Sequence, residues 1–177
     1  VKQITVVIAI LLAAQAAWAG EIIQTVRFDP KDLSIEAQDG YQAVELSGVP
    51  SYGPAGAPRL PRLVRQISVP AGAVVTGVEV ISSDVMEMKG SFDVVPAQKS
   101  IPLPMPGRTF VSEPVSPDQA IYGKDALYPE RQAEALSTGS LGGYRIGHVA
   151  VNPVRYNPVT KKLYLARSMT LRVSYRE

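Results

Sequence analysis

The sequence has no cysteine and a single histidine among its 177 residues. The first absence rules out a disulfide framework, thiol catalysis and the cysteine-based zinc sites, so the fold must be held by core burial alone. The second leaves His148, directly after Gly147 at the start of an apolar stretch, as the one imidazole. A lone histidine in that setting reads as a surface or satisfied residue, not as a general base. Charge of one sign is also lacking: 18 basic residues stand against 16 acidic ones, a formal net charge of +2. Nucleic-acid binding needs a concentrated basic face, and the nearest approach to one is Arg59, Arg62 and Arg65, which reads as a solvated edge. Nucleic acid is therefore not an expected partner.

Long apolar runs are missing as well. The longest extends from Ile4 to Ala14, broken only by Thr5, and falls short of the ~20 residues that cross a bilayer. With Lys2 before it and Ala17-Trp18-Ala19 after it, the run has the layout of an export signal, with cleavage expected between Ala19 and Gly20. The expected organisation is a signal peptide over residues 1–19 and one β domain over 20–177, with no membrane span once the signal is removed. The expected location is outside the cytoplasm: periplasm, cell surface or medium.

What the sequence does have is turn residues and alternation. Fifteen prolines and fourteen glycines are scattered along it, as many tight reversals require. Residues 73–81 are rich in β-branched side chains, and simple alternation puts Val74, Thr76, Val78 and Val80 on one face. Met169, Leu171, Val173 and Tyr175 alternate with polar residues, the pattern of a half-buried strand. Residues 149–156 and 163–175 flank Asn157-Pro158-Val159-Thr160-Lys161-Lys162 and predict a hairpin. Pro153 inside the first of these predicts an edge or a bulge, because proline donates no ladder hydrogen bond. Further strands are expected at 22–28, 41–46, 63–69 and 91–95. The best helix candidate, 130–136, has barely two turns and no convincing cap. The expected fold class is all-β, an antiparallel β-sandwich or flattened barrel, with one long Pro-rich loop. That loop spans residues 96–128 and contains Pro102, Pro104, Pro106, Pro114 and Pro117. A long unstructured segment in a compact domain is usually functional or disordered, and proline stiffens it so that less entropy is lost on binding.

Catalytic patterns are absent. Ser140-Leu141-Gly142-Gly143 lacks nucleophile-elbow spacing and reads as a turn. The acidic residues are dispersed, with no calcium loop or metal dyad, and neither metal nor cofactor is expected.

Several segments, in order, resemble the N-terminal prodomain of gingipain-type cysteine peptidases. They are Gly56-Ala57-Pro58-Arg59-Leu60-Pro61, Gly77-Val78-Glu79-Val80-Ile81-Ser82-Ser83, Ser116-Pro117-Asp118-Gln119 with Ile121-Tyr122-Gly123, Leu127-Tyr128-Pro129, Tyr144-Arg145-Ile146-Gly147, and the hairpin from Val154 to Leu163. The resemblance covers residues 56–175 and is looser before Gly56. It implies a β-sandwich that folds ahead of a catalytic domain, assists its folding and keeps it latent until proteolysis. The implied partner is that catalytic domain, in cis, carrying the Cys/His pair that this chain lacks, so no activity is expected here. The resemblance also implies that the chain is a fragment of a longer precursor. It further implies that the Pro-rich loop offers a basic side chain to the peptidase's specificity pocket. Arg108 is the candidate, with Phe110 adding apolar burial beside it and Lys99 as the alternative for a lysine-preferring enzyme. The competing reading is a free-standing exported β-sandwich that serves binding or adhesion, with Arg108 an ordinary loop arginine.

Overall fold

The computed structural model describes residues 19–100 and 113–177. Its elements, in chain order, are β1 (Ala19–Arg27), β2 (Leu33–Gln38), β3 (Tyr41–Leu46), β4 (Ser51–Tyr52), β5 (Leu60–Pro61), β6 (Leu63–Val69), β7 (Val74–Glu87), α1 (Gln119–Tyr122), β8 (Ala133–Leu141), β9 (Tyr144–Val151), β10 (Val154–Asn157) and β11 (Lys162–Arg176). All the ladders between these strands are antiparallel.

The longest strand, β11, is the centre of the larger sheet. Its outer half pairs with β1, from Arg27↔Ser168 to Ala19↔Arg176, and its first residues pair with β10 on the same flank. Strand β7 runs along the opposite flank. The alternation read from the sequence holds: Met169, Leu171 and Val173 are fully buried, as are Leu163 and Leu165. The two sets share one phase, although the ladder with β7 is irregular at Arg167, which is exposed between them. The second sheet has the order β6-β9-β8, and its Ile67, Val149 and Val151 enter the same core as the β11 side chains. Both sheets are open, so the architecture is the sandwich and not the barrel.

Asn152 and Pro153 mark the point where the chain changes sheets. Strand β9 ends at Val151 in one sheet and β10 begins at Val154 in the other. Pro153 has no N–H to continue a ladder, although its carbonyl still accepts from the Ala166 amide at 2.8 Å. Buried Asn152 fills the corner, donating its side-chain amide to the Arg131 carbonyl at 2.8 Å. The stretch 149–156 is therefore two strands, not one. The hairpin that follows is as expected, with Asn157 Oδ1 accepting from Val159 and Thr160 in the turn.

Three other expectations are corrected. Residues 130–136 are not helical: Ala133 opens β8, which pairs with β9 through the Gly142-Gly143 turn. The ladder on β9 outweighs the helix propensity of Ala and Leu. Residues 91–95 form no strand. Val94 makes one isolated bridge, to Gln42, and Pro96 one to Pro58; the missing proline N–H keeps these from growing into a ladder. In β7, the register shifts at Thr76 and Ile81. The shift at Thr76 puts Val75 in phase with Val78 and Val80 against the core, while Val74 and Thr76 are exposed.

Candidate functional site

The two described limbs of the Pro-rich segment are attached to the domain at one place. Its incoming limb, Phe92 to Ala97, lies between β3 and the turn before β5. Gln42 donates to Asp93 O at 2.7 Å, Val95 donates to Gln42 O at 3.0 Å, and Arg59 donates to Val95 O at 3.0 Å. Phe92, Val94, Val95 and Ala97 are buried, which anchors this limb in the core although it is not a strand.

The outgoing limb, Val115 to Gly123, is attached to the same turn. The Gly56 amide donates to Ala97 O at 2.8 Å, and the Gly56 carbonyl accepts from the Asp118 amide at 2.9 Å. One residue thus joins both limbs. Gly56 has φ +87, and a Cβ there would sit 3.3 Å from Ser116 O and 3.4 Å from Asp118 Cβ. Glycine is required both for the left-handed backbone and for the close approach. Beyond it Asp118 caps α1, accepting from the Ala120 amide at 2.9 Å through its side chain. Tyr122 then ties α1 back to the incoming limb, its hydroxyl donating to Val94 O at 2.7 Å. Burial pushes the Tyr122 phenol far above its ordinary pKa, so the hydroxyl stays a donor.

Gln98 adds a further connection. Its Oε1 accepts from the Val115 amide at 2.7 Å, while Nε2 donates to Val115 O at 3.2 Å and to Pro96 O at 3.1 Å. A groove of about 610 Å³ lies beside this neck, lined by Gln38, Asp39 and Tyr41 of the β2–β3 hairpin, by Arg59, and by Val95 to Gln98 and Pro114 to Pro117. Arg59 crosses it, donating from Nη2 to Gln38 Oε1 at 2.9 Å, with Glu45 3.9 Å away.

Lys99 follows the neck directly and is exposed. Arg108 and Phe110 lie outside the described residues. Ala19 and Gly20 begin β1, opposite Arg176 and Tyr175. Arg62 does not join a basic track: it pairs with Glu134 and stacks over Tyr52, 5.0 Å from the ring centroid. His148 lies in the β8–β9 ladder with its Nδ1 3.4 Å from Ser137 Oγ. No group of metal-ligating residues occurs among the described residues, and none of their helices is long and apolar enough to cross a membrane.

The family model described as Propeptide_C25 matches residues 20–177. The chain belongs to the C25 propeptide family. A propeptide domain is the non-catalytic part of its precursor. Among individual proteins, this propeptide is 25% identical over 147 residues to Lys-gingipain HG66 and to Lys-gingipain W83, both of Porphyromonas gingivalis. In each case the match takes in 80% of this chain and 8% of the relative, so the propeptide spans a small fraction of their length. Among solved structures it is similar to one titled as a complex of P. gingivalis RgpB pro- and mature domains. The TM-score there is 0.70 at 25% identity, covering 86% of this chain and 78% of the other. It also shares its fold with a structure described as giving insight into zymogenic latency of gingipain K from the same organism. That TM-score is 0.66 at 23% identity, covering 93% and 95%.

Parts of the neck fall within the segments that carried the family resemblance in the sequence, as does a bridge outside it. Gly56, Asp118 with α1, and Tyr128, which exchanges both backbone hydrogen bonds with Tyr156 at 2.7 Å, all fall within them. Gln98 does not, and nothing local in the sequence marks it.

Proposed function

We propose that this propeptide domain assists the folding of a gingipain-type cysteine endopeptidase domain in the same precursor and keeps it latent by occupying its active-site cleft. The blocking element is the Pro-rich segment. Arg108 enters the specificity pocket through a charge-assisted, bidentate hydrogen-bond pair, with Phe110 packed beside it. The observation that carries this reading is the neck: both limbs of the segment are fixed to Gly56 and to each other, so residues 99–114 start and end at one anchored position. Similarity to a complex of pro- and mature domains supports the same partner for this chain. If the peptidase prefers lysine, Lys99 takes the role of Arg108. Lys-gingipain HG66 and the RgpB complex are each 25% identical to this chain, so identity favours neither residue.

The test is the inhibition constant of the chain against the catalytic domain of its own precursor. Arg108→Ala should weaken inhibition by at least ~2 kcal/mol, roughly thirty-fold, with Lys99→Ala nearly neutral. The reverse pattern moves the role to Lys99, and no change in either variant removes the segment from the mechanism.

Export is part of the same proposal. Residues 1–19 act as the signal and are cut before Gly20. The family match beginning at residue 20 supports that boundary. N-terminal sequencing of the exported protein tests it.

A further inference from the structure

We propose that Gln98 is the positioning residue of the blocking segment. Its side-chain carboxamide acts as a piece of strand, closing the neck from which the segment is presented. This rests on the blocking role proposed above.

The two limbs are short of backbone donors. Pro96, Pro114 and Pro117 sit on the two limbs of the neck, and none has an N–H. An ordinary two-stranded ladder, in which facing residues exchange N–H and C=O, cannot form between such limbs. The Gln98 carboxamide supplies what is missing. It presents one acceptor and two donors in a plane, as a pair of backbone groups would. Oε1 takes the Val115 amide, and the two Nε2 hydrogens go to Val115 O and Pro96 O. Val115 thus has both its backbone groups paired by one side chain, as it would in a hydrogen-bonded antiparallel pair. Gln98 is exposed, so packing is not what selects it, and each bond is worth a modest amount net.

The rung lies outward of the Gly56 bridge, which joins Ala97 and Asp118: Gln98 is the residue after Ala97, and Val115 precedes Asp118 by three. The Gly56 bridge and the Tyr122–Val94 bond hold the inner part of the neck, and the Gln98 rung, the outermost of the three, fixes the direction in which the limbs depart. Gln98 and Val115 are 17 residues apart in sequence. Fixing them removes loop-closure entropy from the intervening segment before it meets a partner. Gln98 would then raise affinity without touching the peptidase, as a positioning residue acting through Arg108.

The experiment measures the inhibition constant of the full chain against the catalytic domain of its precursor. The variants are Gln98→Ala, Gln98→Glu, Arg108→Ala and the double variant Gln98→Ala/Arg108→Ala, with amide exchange at Asp118 followed in parallel. Gln98→Ala should weaken inhibition about tenfold with little change in thermal midpoint. Gln98→Glu, which keeps the acceptor and loses both donors, should fall in between. In the double variant the Gln98 change should add nothing to the loss from Arg108→Ala. Asp118 exchange should quicken in Gln98→Ala.

Unchanged inhibition in Gln98→Ala, or a full additive loss in the double variant, overturns the inference while sensitivity to Arg108→Ala leaves the blocking reading standing. Inhibition that survives replacement of residues 101–112 by a Gly-Ser linker overturns the blocking reading itself, and this role for Gln98 with it.

Discussion

Strand β11 and the neck are both held by hydrogen bonds between segments distant in sequence, but they differ in what lies behind those bonds. In β11 the ladders run along both flanks and a row of side chains beneath them is shut off from water. In the neck the incoming limb is buried, but the outgoing limb is largely exposed and is held by one bond to Gly56, two to Gln98 and one through the Tyr122 hydroxyl. Burial of apolar area stabilises without regard to direction, whereas a few directed hydrogen bonds contribute little net energy but fix orientation. The contrast separates a frame that supplies stability from a mount that supplies aim.

The largest effect should come from breaking the frame. Leu171→Ala removes a fully buried side chain from the centre of the sandwich and should cost about 2–5 kcal/mol of stability, read from the denaturant midpoint. The inhibition constant per folded molecule should barely change. A large change there would mean that frame and mount are one cooperative unit.

Gly56→Ala attacks the mount. It forces a left-handed φ on alanine and crowds Ser116 O, for a cost of about 1–3 kcal/mol. Gly40 in the β2–β3 turn has a similar φ of +81 with nothing near its missing Cβ. Gly40→Ala is therefore the control for strain alone. Gly56→Ala should weaken inhibition and Gly40→Ala should not, and equal losses would remove the close approach from the explanation.

The third effect is absent at neutral pH and grows with alkalinity. Burial raises the phenol pKa of Tyr122, Tyr128 and Tyr156, whereas in the unfolded chain a tyrosine ionises near ~10. Above that value the unfolded state sheds protons that the folded state keeps. The stabilisation is therefore complete below pH about 10 and is lost as pH rises toward the folded values. A denaturant midpoint that falls over this range, and falls less steeply in Tyr122→Phe, is the expected result. A flat profile would mean that the phenols are more open to water than their positions in the fold indicate.

Much of the frame was legible from the residues because one face of each long strand is buried, which writes period two into the sequence. The run from Met169 to Tyr175 and the Asn157-Pro158 turn are the clear cases. Other parts were written less locally. The bulges at Thr76 and Ile81 shift the phase of β7 according to what lies across from it, so simple alternation misassigned Val74 and Thr76. The strand beginning at Ala133 carries helix-favouring residues and is settled by β9. The β2–β3 hairpin was only half read, although Asp39-Gly40 is a strong turn signal. The neck lay at the limit of such reading. Gly56 and Asp118 fall in segments that carry the family resemblance, but the part played by Gln98 depends on a partner 17 residues away.

The place of β11 in the sheet has a bearing on how the domain is made. Of the eleven strands it emerges last from the ribosome, yet it is the one that β1, β7 and β10 all pair with. Until it arrives those three have no neighbour in their sheet and offer open edges to other chains. Such non-local pairing closes slowly and leaves intermediates prone to aggregation. A nascent chain halted before residue 162 would therefore hold most of the sequence of the larger sheet and none of its ladders.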